Sequence, residues 1–378
     1  MRTKVMSWLL ALCLMVGLLP ATTLAAAAPG TSSGTVIYVS ESGDDSAAGD
    51  ENAPLKTIGA AFTKAADGDT ICLLSDIQLT GKLVLTGDKS VTLAGKAGET
   101  AKKITCQKAS SSDNYMIEVG VEYGTATATN LTLENVTVDA EGQDIRCIRV
   151  CPESQLILEN GATVCNGRAV HSDGSTGTND WGGGIVVDSN AKLIMNDGSA
   201  VTGCSAEQGG GIYLSGEMEL NGGTISGIKA GGSYESGAVL VFACDNGSSL
   251  GKGTASFTMN DGIIENNSGY RGAGVFVIGR EFKNRASMTM NGGTIRNNIC
   301  QGFSDAQAAG AGVYVQQNAE FTMNDGEISG NTVDMGEGGG ICVACGWESV
   351  AGTPGWNIDL FSLYYPAAFT MNGGTIRD

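Results

Sequence analysis

Along most of the chain, apolar and polar residues alternate in short runs that glycine and asparagine interrupt. Phe321-Thr322-Met323 is typical, with two large apolar residues flanking one polar residue. That period of two places one set of side chains inside a sheet and the other outside. The run is followed by Asn324-Asp325-Gly326, residues that tolerate the positive φ of a sharp strand-to-strand turn. The phrase returns as Leu193 to Gly198, Phe257 to Gly262, Met288 to Gly293 and Phe369 to Gly374, with weaker copies centred on Asn160 and Asn221. From Asn160 onward the asparagines are spaced 36, 25, 39, 31, 33 and 48 residues apart. A second run follows each copy, as in Thr294-Ile295-Arg296, and a third closes the unit, as in Gly209-Gly210-Gly211-Ile212-Tyr213-Leu214.

Three strand-like runs per unit predict an all-β solenoid, a right-handed single-stranded parallel β-helix with three short strands per coil. Variable spacing implies that one connection accepts insertions while the strands keep register. Equivalent asparagines are then expected to stack, their amides bonding along a column. Leucine-rich, propeller and calcium-binding nonapeptide repeats do not fit, because their own signatures are absent. Near the start, Thr57 to Ala66 is an apolar, alanine-rich run of one helix length, closed by Asp67-Gly68 ahead of strand-like Thr70 to Leu74. The domain plan is therefore a leader over 1–28, an N-terminal strand, loop and short capping helix over 29–75, and β-helix repeats over 76–378. The last phrase breaks off before its third strand, so further coils or an anchor domain are expected beyond Asp378.

The leader follows from its own pattern. Arg2 and Lys4 precede the apolar run Trp8 to Leu19, and small residues continue to Ala28. That is the order of a secretory signal peptide, cleaved near Ala25 to Ala28. The apolar run is too short to span a bilayer, and no other stretch of the mature chain is long enough. The expected location is secreted or cell-surface.

Composition narrows the partners. The 378 residues include 57 Gly, and 40 Asp and Glu against 22 Lys and Arg, a formal charge of −18. Loss of the leader removes two more positive charges. Nucleic acid is excluded as a partner, since phosphate neutralisation needs an excess of basic residues. Ten of the eleven cysteines follow the leader; in an exported chain they permit disulfides whose pairing spacing cannot reveal. Cys342-Val343-Ala344-Cys345 lacks the second pair of a zinc site and reads as packed thiols or a disulfide.

The Gly-Gly-Gly-apolar and Phe-Thr-Met-Asn phrases resemble the pectin-lyase-like β-helix superfamily. They are particularly similar to repeats of bacterial surface proteins, including the polymorphic outer-membrane proteins. The opening Ile37-Tyr38-Val39-Ser40, Gly43-Asp44-Asp45, Pro54-Leu55-Lys56-Thr57-Ile58 and Gly68-Asp69-Thr70-Ile71 resembles the superfamily's N-terminal strand, loop and capping helix. The resemblance implies the fold, while the superfamily's members range from lyases and hydrolases to non-catalytic adhesins.

Candidate chemistry is sparse. His171 is the only histidine, and it shares a polar insertion with Asp173, Asp180 and Trp181. A tryptophan beside carboxylates suits a sugar ring, although an exposed polar loop explains the same residues. Trp347, Trp356, Phe361, Tyr364 and Tyr365 crowd a second insertion in a chain only 6% aromatic, suited to stacking on carbohydrate or to burial. Asp44, Asp45, Asp50 and Glu51 form an acidic run able to hold calcium through carboxylate oxygens, or simply a solvated loop. No other cofactor is called for. The hydrolase motifs of the superfamily are missing, and no basic residue among Arg146, Arg149, Lys229, Arg271, Arg280, Lys283 and Arg285 sits in an evident acidic cage. The expectation is a non-catalytic, adhesin-like surface protein whose partner is a polysaccharide or a host or cell-surface protein. A pectate-lyase-like polysaccharide lyase and a structural stalk are the alternatives.

Overall fold

The computed structural model describes residues 34–107, 114–121, 128–169, 180–231, 236–243, 253–280, 284–302, 308–349 and 362–377. Short parallel strands stack, one coil on the next, into three long sheets of eleven, nine and ten strands. The molecule is a parallel β-helix. Successive coils pair in strict register, as where Phe257, Met288, Phe321 and Phe369 fall in one column.

The core follows from the alternation. On the eleven-stranded sheet, Leu133, Leu158, Met195, Leu220, Met259, Met290 and Met323 line up coil after coil, all fully or almost fully buried. Val164, Val201, Ile225, Ile264, Ile295 and Ile328 do the same on the ten-stranded sheet. Ile148, Ile185, Ile212, Val239, Val275 and Val313 complete the interior from the nine-stranded sheet. Each such side chain contributes about 1.5–3 kcal/mol by leaving water.

The turns explain the repeated phrase. The strand ending at Arg296 is followed by Asn297 at φ 54° and then by Asn298. Equivalent positions hold Asn166, Gly203, Gly227, Asn266 and Gly330, all at positive φ between 56° and 66°. Only glycine and asparagine take that left-handed conformation cheaply. The next residue points inward. Asn298 Nδ2 donates to Asn331 Oδ1 at 2.9 Å, and Asn267 Nδ2 to Asn298 Oδ1 at 2.9 Å, a buried amide column.

A second amide column runs along the outside. Asn221, Asn260, Asn291, Asn324 and Asn372 each donate to the asparagine one coil earlier, at 2.8–3.1 Å. Asn160 is not part of it. Asn196 donates instead to Glu159 Oε1 at 2.8 Å, because strand register pairs Leu158 with Met195 and so sets Glu159, not Asn160, against Asn196.

Two further details differ from expectation. Six coils carry a fourth, two-residue strand, from Arg168–Ala169 to Thr332–Val333, which forms a sheet of its own. The chain runs straight for two residues after the left-handed turn before it bends again. No disulfide is present among the nine described cysteines, seven of which are buried. The capping helix is present over Ile58–Lys64, shorter than the apolar run, with Thr57 Oγ1 accepting from the Ala60 amide at 3.2 Å. It buries Ile58, Ala61 and Phe62, and it ends where Ala65 turns extended. No helix among the described residues is long and apolar enough to cross a membrane.

Candidate functional site on the nine-stranded sheet

From Asn221 onward, length variation among the described coils is confined to two corners. The connection between the eleven- and ten-stranded sheets is three residues in every coil from Asn221–Gly223 to Asn372–Gly374. The connections that flank the nine-stranded sheet range from Ser215–Gly216 to residues 345–367. A rigid scaffold with variable loops at one face is the usual arrangement of a recognition surface.

The outer side of that sheet is unlike the other outer faces. Arg149, Val186, Tyr213, Leu240, Phe276 and Tyr314 occupy one outward column, in register across six coils. All are buried, 0–5% exposed. Val186, Tyr213, Leu240, Phe276 and Tyr314, together with Phe242, Ile278 and Ala309, form an apolar cluster separate from the main core. Trp181 stacks on Tyr213 with ring centroids 5.1 Å apart, and Phe276 meets Tyr314 edge-on at 4.9 Å. Such pairs are each worth about 0.5–1.5 kcal/mol beyond their burial.

Guanidinium groups lie over these rings. Arg146 and Arg149 sit 5.2 and 5.6 Å from the Tyr115 ring, Arg271 lies 5.3 Å from Tyr270 and 5.7 Å from Tyr314, and Arg280 lies 5.6 Å from Phe242. Arg149 also forms an ion pair with Asp188 at 3.0 Å, with side chains only 4% and 0% exposed. Burial lowers the pKa of Arg146 from the usual arginine value, opposed by Tyr115 and Asp180. The Tyr314 phenol is raised by burial, with Arg271 working against the shift.

The candidates named from sequence fall in several places. Trp181 joins the aromatic stack, half-buried, and its carbonyl accepts from Arg146 Nε at 2.6 Å. Asp180 beside it is 3% exposed, and its carbonyl accepts from the Glu207 and Gln208 amides at 3.1 Å each. His171, Asp173 and Trp356 lie outside the described residues. Trp347 and Tyr364 stand directly opposite one another where Gly346–Ser349 pairs with Ser362–Tyr365, and Tyr365 stands opposite Gly346. This is the only antiparallel strand pair among the described residues.

The acidic run is not gathered into one cage. Asp44 Oδ1 accepts from the Ser46 amide and hydroxyl at 2.9 and 2.8 Å, bonds that lower its pKa. Asp45 binds the amides of Lys56 and Thr57 at 2.9 and 2.8 Å, at the start of the helix. Asp50 Oδ1 accepts from Asn52 and Ala53, both at 2.9 Å, and Glu51 pairs with Lys96 at 2.6 Å. Among the described residues no three His, Cys, Asp or Glu side chains are grouped to hold a metal.

Asp188, Tyr115, Phe242 and the Tyr213–Phe276–Tyr314 column went unread in the sequence. The signal was present. Ile212-Tyr213-Leu214, Val275-Phe276-Val277 and Val313-Tyr314-Val315 are apolar at every position, the pattern of a strand buried on both faces. Comparison with protein-family models, curated proteins and solved structures finds no match for this chain.

Proposed function

We propose that this is an exported, adhesin-like surface β-helix of the pectin-lyase-like kind, which binds a glycan or host-surface partner without catalysis. The observation that carries the reading is the double-sided nine-stranded sheet, whose aromatic and arginine-lined outer layer underlies the connections that vary in length from Asn221 onward. A scaffold of stacked coils holds that layer rigid, so the loops rooted in it start from fixed positions. Trp181, half-buried on Tyr213, is the ring best placed to extend such a stack onto a sugar.

A polysaccharide lyase is the second reading, and the arginines beside Asp180 and Asp188 are what favour it. A lyase needs a base to take the proton α to a uronate carboxyl and a cation to stabilise the enolate. Arg149 and Asp188, however, are locked together and buried, which suits a structural tie better than contact with substrate.

The test is incubation of the full chain with plant, algal and host polysaccharides, with and without calcium, followed by pull-down and a reducing-end assay. Retention of a glycan with no new ends is expected, weakened roughly three- to tenfold by Trp181→Ala. New reducing ends would overturn the non-catalytic reading, and neither retention nor cleavage would leave a stalk.

A further inference from the structure

The outer amide column stops at Glu159, but its strand positions continue toward the N-terminal coils. Above Glu159 stand Glu134, then Ala94, Cys72 and Tyr38, each paired in register with the next. Ala94 is far smaller than the asparagines of the later coils, and Cys72 lacks their amide. Where their side chains fall short, a groove of about 580 Å3 opens on the eleven-stranded sheet.

Tyr38 stands toward one end of the groove and Glu134, with Asn160 and Gly161, toward the other, with Thr70, Cys72, Ala94 and Gly95 between them. Its wall is the turn from Lys96 to Glu99. Asn135, at φ 52°, holds that turn by donating Nδ2 to the carbonyls of Lys96 and Glu99 at 3.4 and 3.1 Å. The groove is thus built from rigid strand positions and a pinned turn.

Its charge is one-sided. Lys96 is held by Glu51 at 2.6 Å, and Glu99 by Lys102 at 2.9 Å. Glu134 is exposed and has no ion-pair partner among the described residues. An unpaired carboxylate and a tyrosine stand three strands apart, about 14 Å, over a floor of small residues, in a chain of charge −18. A cation gains at the carboxylate end by ion pairing, and a sugar ring gains at the other end by packing on the tyrosine. The carbonyls and amides of the wall suit hydroxyl groups.

We propose that this groove binds a short amino-sugar stretch of a polysaccharide, with one ammonium toward Glu134 and a neighbouring ring between Tyr38 and the turn Lys96 to Glu99. The site lies on a different sheet from the aromatic layer, so the two readings stand or fall separately.

Calorimetric titration of the full chain with a glucosamine hexamer tests it, with the N-acetylated hexamer and spermine as comparisons. Saturable binding of the glucosamine hexamer is expected, stronger than that of either comparison and weakened by salt. Glu134→Gln should lower its affinity about tenfold. Ala94→Asn, which continues the amide column into the groove, should abolish binding while leaving the thermal transition in place. Should Ala94→Asn fail to fold, Glu134→Gln at its exposed position still decides the matter. Equal binding of the N-acetylated hexamer would overturn the role of the ammonium, and equal binding of spermine would overturn that of the sugar. Binding indifferent to both substitutions would overturn the site itself.

Discussion

The eleven-stranded sheet has two regions with the same interior and different exteriors. From Asn196 to Asn372 the outward column is a continuous line of amides, each bonded to its neighbour. From Tyr38 to Glu159 the same column holds tyrosine, cysteine, alanine and two glutamates. Inside, both regions present a large apolar residue at every rung, from Ile71, Leu93 and Leu133 to Met259, Met290 and Met323. Burial therefore disciplines one face throughout, whereas the other is regular only where amides satisfy one another. Where that regularity lapses, the surface gains a groove and unpaired charge.

The largest expected effect breaks the regular region at its buried column. Asn298 donates to the Ile264 carbonyl at 3.1 Å and to Asn331, and accepts from the Asn267 amide and side chain. Asn298→Ala strands several buried polar groups and should cost about 3 kcal/mol by urea denaturation. A loss under about 1 kcal/mol would mean that the column is ornamental to stability.

Alkaline titration sets a thiol of the early coils against one of the late coils. Burial, aided by the charge of Asp139, pushes Cys165 up to about 12, and burial pushes Cys300 up to about 11. Each folded-state pKa lies above the unfolded value of 9.0, so the protonated thiol stabilises the fold below pH 9, and that contribution is lost as pH rises above it. Each thiol should take away about 2 kcal/mol by pH 11. Cys165→Ala and Cys300→Ala should each flatten the pH dependence of the denaturation midpoint above pH 9. An unchanged slope in both would show that the thiols reach solvent in the folded state.

The smallest effect sharpens the boundary between the regions. Asn291→Ala removes one exposed rung and should cost about 1 kcal/mol. Glu159→Asn keeps an acceptor for Asn196 and should change stability by less than about 0.5 kcal/mol. Comparable losses from the two, read as thermal midpoints, would mean that the amide column ends earlier than Glu159.

Much of this was legible because stacking repeats one local rule. Phe321-Thr322-Met323 states which residues face inward, and Asn324-Asp325-Gly326 states where the chain turns. Thr294-Ile295-Arg296-Asn297-Asn298 was read as strand and turn, but the division of labour between its asparagines was not. Asn297 takes positive φ and Asn298 enters the core, one residue apart and opposite in role. Glu159 was passed over in favour of Asn160 for a related reason. A ladder is set by strand register, and a slip of one residue is invisible until neighbouring coils are paired. Trp181 was named from the sequence, yet its partner Tyr213 lies one coil away.

The sequence alone determined the repeat, the inward-facing residues, the positions of the turns and the short helix ahead of the coils. Those depend on alternation and backbone preference, which act over a few residues. Tertiary structure decided that Arg149 would meet Asp188 across 39 positions, and that Asp45 would bind the start of the helix while Glu51 reaches Lys96. It also decided that Tyr38, Cys72, Ala94 and Glu134 would share one column. Contacts between coils depend on how many residues each intervening loop contains, and loop length carries no local signature of the partner it delivers.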